Sequence, residues 1–405
     1  MCVVATTLNR TGSRLLARGF RPFFLATAAY SLVVIAIWTA VLMGWLDWRS
    51  RLDPLAWHAH EMLFGAIGAA IAGFLLTAVP NWTGRLPVAG ARLGLLASLW
   101  LLPRLLWPLP GTWVPALAGG IELAFWGLLL ATVAREILLS GNRRNLPVVA
   151  ALALILIADA TFAVGALTDE WMAMRRATLA MLALGVLLVS LIGGRIVPSF
   201  THNWLKRRGA SALPRSSLTL DAASLGLSAG GLALWLAEQP LVAGPILLAA
   251  AMAQLLRLSL WRGWSTLGEP LVAILQLAYL WIPVGLALLG AAQLWPQVIA
   301  ESAALHALGA GALGGMVMAV TTRATLGHSG QVLQAGLATA AIYAAVLLAA
   351  LLRVLSSLLP DGLALAGLAV QPGTLLAAAA LLWVAAQAGF LWRFGPLLLG
   401  LNQRS

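Results

Sequence analysis

The stretch WHAHEMLFGAIGAAIAGFLLTAVPNWTGR, residues 57–85, carries a long apolar run that begins directly behind two histidines and a glutamate. No charged side chain lies between Glu61 and Arg85. An uncharged run of this length suffices for a helix across a hydrocarbon core of about 30 Å, which takes about 20 residues. The stretch therefore predicts a membrane-spanning helix with ionisable groups at its head.

The composition extends this prediction to the whole chain. Of the 405 residues, 61% are hydrophobic and 9% are charged, whereas soluble domains carry about 25% charged residues. Spanning β-barrels are disfavoured because their strands alternate in short segments. We predict an all-α polytopic membrane protein of about twelve transmembrane helices. The helices are predicted at 24–46, 55–79, 92–109, 113–138, 146–167, 173–198, 217–237, 241–261, 268–290, 301–322, 332–354 and 373–394.

The charges predict how these helices are oriented. With the N-terminus in the cytoplasm, all but six of the 25 Lys and Arg residues fall at or beyond cytoplasmic helix ends, which is the positive-inside pattern. The net charge of +12 thus reports orientation in a lipid bilayer, and no nucleic-acid partner is expected. We predict a single transmembrane domain, 1–405, with a cytoplasmic N-terminus 1–22, a basic cytoplasmic loop 199–216 and a cytoplasmic C-terminus 395–405.

Cysteine content limits the cofactor chemistry. The chain has one cysteine, Cys2, so disulfides, Cys-ligated zinc, iron–sulfur clusters and covalently attached c-type haem are excluded. No P-loop, dinucleotide fingerprint, nucleophile elbow or zinc-protease motif is present in the sequence.

The five histidines fall into two groups on this topology. His58 and His60 open the second helix and His306 opens the tenth, all towards the non-cytoplasmic face, whereas His202 and His328 lie on the cytoplasmic side. About 33 Å of helix separates His306 from His328, so these two cannot share one metal. Ionisable groups at membrane depth are functional candidates by default.

The second helix is predicted to begin at an Asp53–Pro54 cap, which places His58 and His60 about 200° apart around it. The His58 face continues through small residues and the His60 face through bulkier ones, so His58 is expected to be the interior ligand. Glycines also follow His306. They would admit a flat cofactor or, as the other interpretation, close packing of neighbouring helices.

An internal similarity relates the second and tenth helices. A shift of 246 positions lays His60 on His306 and Gly65 on Gly311. The second, sixth and tenth helices are four apart, which favours three four-helix units around a pseudo-threefold axis.

Three segments carry a family resemblance. Residues 57–85, GGRIVPSFTHNW at 193–204 and LHALGAGALGGMVMAVTTRATLGHSG at 305–330 resemble the NnrS family of bacterial inner-membrane proteins. The resemblance implies b-type haem, with copper as a further cofactor, and a part in denitrification and in defence against nitric oxide and nitrosative stress.

The second helix also distantly resembles that of haem-copper oxidase subunit I, through His58-Ala59 and Met62-Leu63-Phe64. This resemblance implies His58 and His306 as the axial pair, whereas the internal similarity favours His60, and both assignments stay open. The sixth and seventh predicted helices hold no histidine, so an oxidase-type binuclear centre is not expected.

Further ligands follow from side-chain chemistry. The candidates for copper are His60, Met62 and whichever of His58 and His306 the haem leaves free, with His202 and His328 as further candidates. Three arginines on the non-cytoplasmic side are the candidates for pairing with haem propionates: Arg104, Arg175 and Arg176.

Three acidic residues also call for an interpretation. Glu61 either relays protons and orients a histidine or caps the helix at the lipid interface. Burial of a charged carboxylate inside a bilayer costs free energy. Glu122 and Asp159 therefore either form a proton path or are neutral and hydrogen-bonded.

The leading functional expectation is a haem b membrane protein of nitric oxide defence. It would bind nitric oxide, reduce it as a nitric oxide reductase-like oxidoreductase, or act as a redox partner, with an unknown electron donor. The alternatives are a secondary transporter of copper, haem or a small metabolite, and a non-catalytic membrane sensor. Three histidines at helix heads on one face favour the first expectation over a transporter.

Overall fold

The computed structural model describes residues 14–359, 362–365 and 368–401. Cys2, the first thirteen residues of the predicted N-terminal segment and residues 402–405 of the predicted C-terminal segment lie outside the described residues.

Within this described part, the chain forms twelve long helices, which confirms the predicted all-α architecture. Eleven of them are long and apolar enough to cross a membrane. The exception is α3, whose 16 residues reach about 24 Å. Between α11 and α12 lies a short antiparallel pair, β1 Leu363–Leu365 and β2 Leu368–Val370. The helices are α1 Phe20–Leu42, α2 Pro54–Thr83, α3 Ala91–Leu106, α4 Val114–Leu139, α5 Leu146–Thr168, α6 Trp171–Arg207, α7 Leu218–Leu236, α8 Pro240–Ser259, α9 Pro270–Leu294, α10 Glu301–His328, α11 Leu337–Leu358 and α12 Pro372–Leu398.

The start and end of α2 follow from local chemistry. The Asp53 carboxylate accepts hydrogen bonds from the backbone N–H groups of Leu55 and Ala56, and Pro54 occupies the first helical position, as predicted. This arrangement satisfies two donors that a helix start otherwise leaves unpaired. At the other end Gly84 adopts a left-handed conformation with φ 69°, which glycine reaches without steric cost.

Two helices extend well beyond their predicted ends. Helix α6 continues through Pro198 to Arg207 and α10 continues to His328. The predicted basic loop 199–216 is therefore wrong for residues 199–207, which are helical. Proline is tolerated inside a membrane helix because neighbouring groups satisfy the freed carbonyl.

A π-helical turn lies directly behind a histidine in both α2 and α10. It spans Glu61–Ile67 behind His60 and Ala307–Gly314 behind His306. The two π segments begin 246 positions apart, the shift that the internal similarity gave. This agreement supports the register that pairs His60 with His306, while the arrangement of three four-helix units stays a prediction. Such π segments occur often at functional sites.

The residue contacts divide the chain into two compact units. The first comprises the described parts of Met1–Leu184, Ala324–Val332 and Gln387–Ser405, and the second comprises Gly185–Arg323 and the described parts of Leu333–Ala386. In the first unit, Trp57, Trp107 and Phe162 lie in one apolar core. The predicted single domain, 1–405, stays a prediction.

Candidate functional site

The first unit holds a cluster of ionisable side chains that four helices bury together. Each member exposes at most 3% of its surface. Helix α2 contributes two adjacent residues, and α3, α4 and α5 contribute one each. The members are His60, Glu61, Arg104, Glu122 and Asp159. We call this set the His60 cluster.

His60 stands at the centre of the cluster. Its Nδ1 lies 2.9 Å from Glu61 Oε1, and because a carboxylate only accepts, Nδ1 is the donor. Its Nε2 lies 3.5 Å from Glu122 Oε2 and 3.5 Å from Asp159 Oδ1. Within the described residues Nε2 makes no hydrogen bond. One ring nitrogen is thus fixed, and the other is aimed between two carboxylates.

Arg104 provides the permanent positive charge of the cluster. Its guanidinium forms an ion pair with Glu122 and lies 3.0 Å from Glu61 Oε2. The indole of Trp107 donates to Glu122 Oε2 at 3.0 Å, and the Tyr30 hydroxyl donates to Glu61. The expectation that Arg104 pairs with a haem propionate is therefore wrong, because two buried carboxylates already occupy it.

Glu61 is a partner of histidine. Its side chain has no exposed surface, accepts hydrogen bonds from His60 and Tyr30, and forms an ion pair with Arg104. Full burial contradicts the interpretation that Glu61 caps the helix at the lipid interface. Its role in orienting a histidine stays a prediction, which the contact with His60 supports. The π turn that begins at Glu61 accompanies this inward placement.

Aromatic rings enclose His60. The ring of Phe162 stacks on it at 4.0 Å, Phe64 lies at 5.0 Å and Trp107 packs edge-on at 5.4 Å between ring centroids. Charges in such an apolar enclosure interact strongly, and any that stay uncompensated are expensive. The cluster therefore needs a near balance of positive and negative charge.

His58 and Met62 occupy less buried positions on the same helix. His58 is partly buried and stacks on Trp38, with ring centroids 4.6 Å apart and an interplanar angle of 15°. Met62 is partly buried and packs against the apolar core. The expectation that His58 is the more interior of the two histidines is wrong, since His60 has no exposed surface.

The glycines of α2 are packed against large side chains. A Cβ added at Gly68 would lie 3.0 Å from Trp126, and one at Gly73 would lie 2.9 Å from Phe23 and Phe24. At these positions the predicted small-residue face therefore serves as a packing seam and not as an open cradle for a macrocycle.

Helix α10 shows the same use of glycine. A Cβ added at Gly311 would lie 2.4 Å from Trp281, and one at Gly314 would lie 2.4 Å from Trp383. The packing interpretation is confirmed at both glycines, and a macrocycle does not fit at these two positions while the indoles occupy them.

His306, in the second unit, has a different setting. It is partly buried, and its Nδ1 lies 2.8 Å from the Ser302 carbonyl oxygen. A carbonyl only accepts, so Nδ1 carries the proton and Nε2 keeps its lone pair. A histidine held in this way presents Nε2 to a metal in the orientation that ligands usually have. As a donor, His306 fits a haem iron.

Arg353 lies beside His306. Its guanidinium donates to the hydroxyls of Ser302 at 3.1 Å and Ser357 at 2.5 Å. In the described part of the chain it pairs with no carboxylate. Ser302 contacts both His306 and Arg353. The Arg353 guanidinium, which has no carboxylate partner among the described residues, is therefore close to the His306 ring.

The remaining predicted histidines lie apart from these settings. His202 is partly buried in α6, in the second unit. His328 ends α10, in the first unit, and packs on the Phe20 ring at 5.3 Å. The predicted axial pair of His58 and His306 joins residues of different units and stays a prediction, as does the role of His202 and His328 as further metal candidates.

A second buried polar network lies in the second unit and was not predicted. Arg257 donates to Asp221 at 2.6 Å and to the Tyr279 hydroxyl at 2.8 Å. Tyr279 donates to Gln254 at 2.7 Å, and Gln254 donates to Ser190 at 2.7 Å. Each side chain here has a partner, so the network is satisfied internally, as a structural network is.

Sequence reasoning missed three residues around the two histidines. Tyr30 lies in an apolar helix and Trp107 lies directly after one. Each carries a polar hydrogen-bonding group on an aromatic side chain, and this was the feature of the sequence that could have identified them. Arg353 interrupts the apolar run of α11. A charged residue inside a predicted membrane-spanning helix was also the reason for considering Glu122 and Asp159.

Taken together, helices and site define a multi-pass α-helical membrane protein that buries a histidine–carboxylate cluster inside a helix bundle. The family model described as NnrS protein matches residues 14–401, so the chain belongs to the NnrS family. That family is linked to nitric oxide. A comparison with curated proteins gives no match.

Proposed function

We propose that this protein binds b-type haem through His306 and takes part in nitric oxide defence at the bacterial inner membrane, with both termini in the cytoplasm. The carrying observation is His306 itself, whose Nδ1 is held by the Ser302 carbonyl at 2.8 Å. The nitric oxide link of the family and the distribution of Lys and Arg support the rest of the proposal.

The surrounding residues have definable tasks in this proposal. The Ser302 carbonyl fixes the tautomer of His306 and increases the basicity of Nε2. Arg353, which faces only hydroxyls in the described residues, supplies a positive charge that suits a propionate carboxylate. Haem would supply an iron that binds nitric oxide when one axial position is open.

Copper is proposed as an additional cofactor near the head of α2. His58 and Met62 are four residues apart in the sequence, so in a regular helix they would share one face. Their imidazole and thioether groups suit copper in its reduced state. His60 is a less suitable copper ligand, because oxygen donors surround its free nitrogen.

The absorption spectrum of the purified protein tests the haem proposal. The reduced protein is expected to show the sharp α-band of b-type haem, confirmed as a pyridine haemochrome. His306→Ala should abolish that band, whereas the control His328→Ala, a histidine packed on Phe20, should retain it. A wild-type protein that is colourless after expression with haem supplied would overturn the proposal.

Addition of nitric oxide to the reduced protein tests the proposed role. A shift of the haem spectrum indicates an iron with an open or displaceable position, and consumption of nitric oxide with a supplied reductant indicates turnover. An unchanged spectrum would support an electron carrier in place of a nitric oxide binding site.

A secondary transporter is the second candidate, and the His60 cluster favours it because buried ionisable groups can couple ion movement to transport. A substrate-uptake assay in proteoliposomes distinguishes transport from haem binding. Substrate uptake driven by an ion gradient, in a protein without haem, would favour transport of copper, haem or a small metabolite.

A further inference from the structure

We propose that His60, Glu122 and Asp159 form a binding site for one divalent first-row metal ion, of the class of Mn²⁺, Fe²⁺ or Zn²⁺. The site is separate from the haem proposed at His306 and does not depend on it. It assigns His60 to this metal and therefore removes His60 from the haem ligands.

The distances suit a metal better than hydrogen bonds. One donor atom from each of the three residues lies within 4.8 Å of the other two. His60 Nε2 lies 3.5 Å from both carboxylate oxygens, beyond the usual 2.9–3.0 Å of an N–H···O bond. Donors about 2.1 Å from a tetrahedral metal lie roughly 3.4 Å from one another. The two separations from His60 Nε2 match the edges of such a polyhedron.

Two of the three proposed ligands also carry a buried polar atom without a hydrogen-bond partner among the described residues. Because Nδ1 of His60 donates to Glu61, Nε2 carries a lone pair in the neutral ring. That nitrogen and Asp159 Oδ2 have no hydrogen-bond partner among the described residues, and His60 is fully buried. A buried polar atom without a partner costs free energy, and a metal ion bound by both residues would remove that cost.

A divalent cation would also balance the buried charges. The three carboxylates of Glu61, Glu122 and Asp159 face one guanidinium, that of Arg104. With His60 neutral, the buried set carries two negative charges in excess. One divalent ion removes this excess, and the alternative requires two bound protons.

Neighbouring side chains hold the proposed ligands in place. Glu61 accepts from His60 Nδ1, Trp107 donates to Glu122 Oε2, and Arg104 holds the other oxygen of Glu122. A carboxylate behind a ligating histidine is the common outer partner in metal sites. One imidazole and two carboxylates suit the borderline to hard divalent ions better than copper(I), which prefers sulfur.

Metal titration of the full-length purified protein tests the site. After treatment with a chelator, we expect one Mn²⁺ per chain by elemental analysis, with a nitrogen coupling from the His60 imidazole in pulsed electron paramagnetic resonance. Zn²⁺ should compete for the same site. Asp159→Asn and Glu122→Gln should each reduce the affinity for Mn²⁺ at least tenfold, and Glu61→Gln should reduce it about 10- to 100-fold.

Matched controls lie on the same helices. Asp169 caps the C-terminal end of α5 and pairs with Arg51 outside the cluster. Glu136 in α4 pairs with Arg85 and Arg135. The variants Asp169→Asn and Glu136→Gln should bind Mn²⁺ as the wild type does. The haem band should persist in Asp159→Asn and disappear in His306→Ala, which separates this site from the proposed haem.

Two results would overturn the proposal. One is a wild-type protein that binds neither Mn²⁺ nor Zn²⁺ stoichiometrically. The other is binding that Asp159→Asn and Glu122→Gln leave unchanged while both variants elute as monodisperse protein. A further variant, His60→Gln, removes the proposed nitrogen ligand. If it does not fold, the two carboxylate variants still decide, because each retains the shape of the side chain.

Discussion

His60 and His306 occupy equivalent positions in two helices and have opposite surroundings. Each precedes a π-helical turn, and the two turns begin 246 positions apart. Carboxylates and an arginine surround His60, whereas a backbone carbonyl and serine hydroxyls lie beside His306. The π-helical turn is therefore common to both histidines, and the side chains packed around each histidine determine its chemistry.

The largest effect is expected from removal of the buried arginine on the His60 side. Arg104→Met leaves Glu61 and Glu122 buried without their counter-charge, and loss of one partner of a buried pair costs about 3–5 kcal/mol. Arg353→Met, beside His306, removes a cation that faces only hydroxyls in the described residues and should cost far less. Thermal unfolding in detergent compares the two variants, and equal losses would contradict the contrast.

A smaller effect is expected from the indole that supports Glu122. Trp107→Phe removes a hydrogen bond to a carboxylate, worth about 1.5–3 kcal/mol. The control is Trp126→Phe, since the Trp126 indole N–H is buried without a hydrogen-bond partner in the described residues. The difference in unfolding temperature between the two variants isolates the bond, and no difference would show that Trp107 does not support Glu122.

Corresponding glycines offer a third test. At Gly311 an added Cβ would lie 2.4 Å from the Trp281 ring, and at Gly65 it would lie 2.8 Å from the Arg104 guanidinium and 2.9 Å from the Tyr30 ring. Overpacking costs about 1–3 kcal/mol, so Gly311→Ala should destabilise the protein. Gly65→Ala should also displace Arg104 and therefore weaken Mn²⁺ binding.

The control for both glycine substitutions is Gly127→Ala in α4, where an added Cβ meets nothing within 4 Å. There the substitution should leave stability unchanged or raise it by about 0.4–1 kcal/mol. A Gly311→Ala variant as stable as Gly127→Ala would contradict the tight packing against Trp281.

The smallest effect is expected at the helix starts. Helix α2 has the Asp53 side chain as its cap, whereas α10 begins at Ala300, which has no capping side chain. Asp53→Ala should therefore cost about 1 kcal/mol and Ala300→Asp should gain a similar amount. Hydrogen exchange of the first-turn amides measures both, and unchanged protection in Ala300→Asp would show that the start of α10 has no free donors to cap.

Sequence reasoning predicted all twelve helices, with the largest errors at the ends of α6 and α10, which lie nine and six residues beyond the predicted ends. It also singled out His60, His306, Glu122 and Asp159 as residues of interest. It placed His58 and not His60 in the interior, because a regular helix was assumed and the π turn was not foreseen. The role of Arg104 was missed, since nothing local to α3 shows that its guanidinium meets Glu122 of α4.

The class of the protein follows from the sequence alone. The length of an apolar run decides whether a helix can span a bilayer, and the distribution of basic residues between the loops indicates its orientation; both are local properties of the sequence. The internal register of 246 positions was also visible in the sequence. Only the tertiary structure decided which histidine is buried and what faces it. The partners of His60 come from separate helices, and the packing of those helices, through side-chain shape and hydrogen bonding, sets which polar atoms converge.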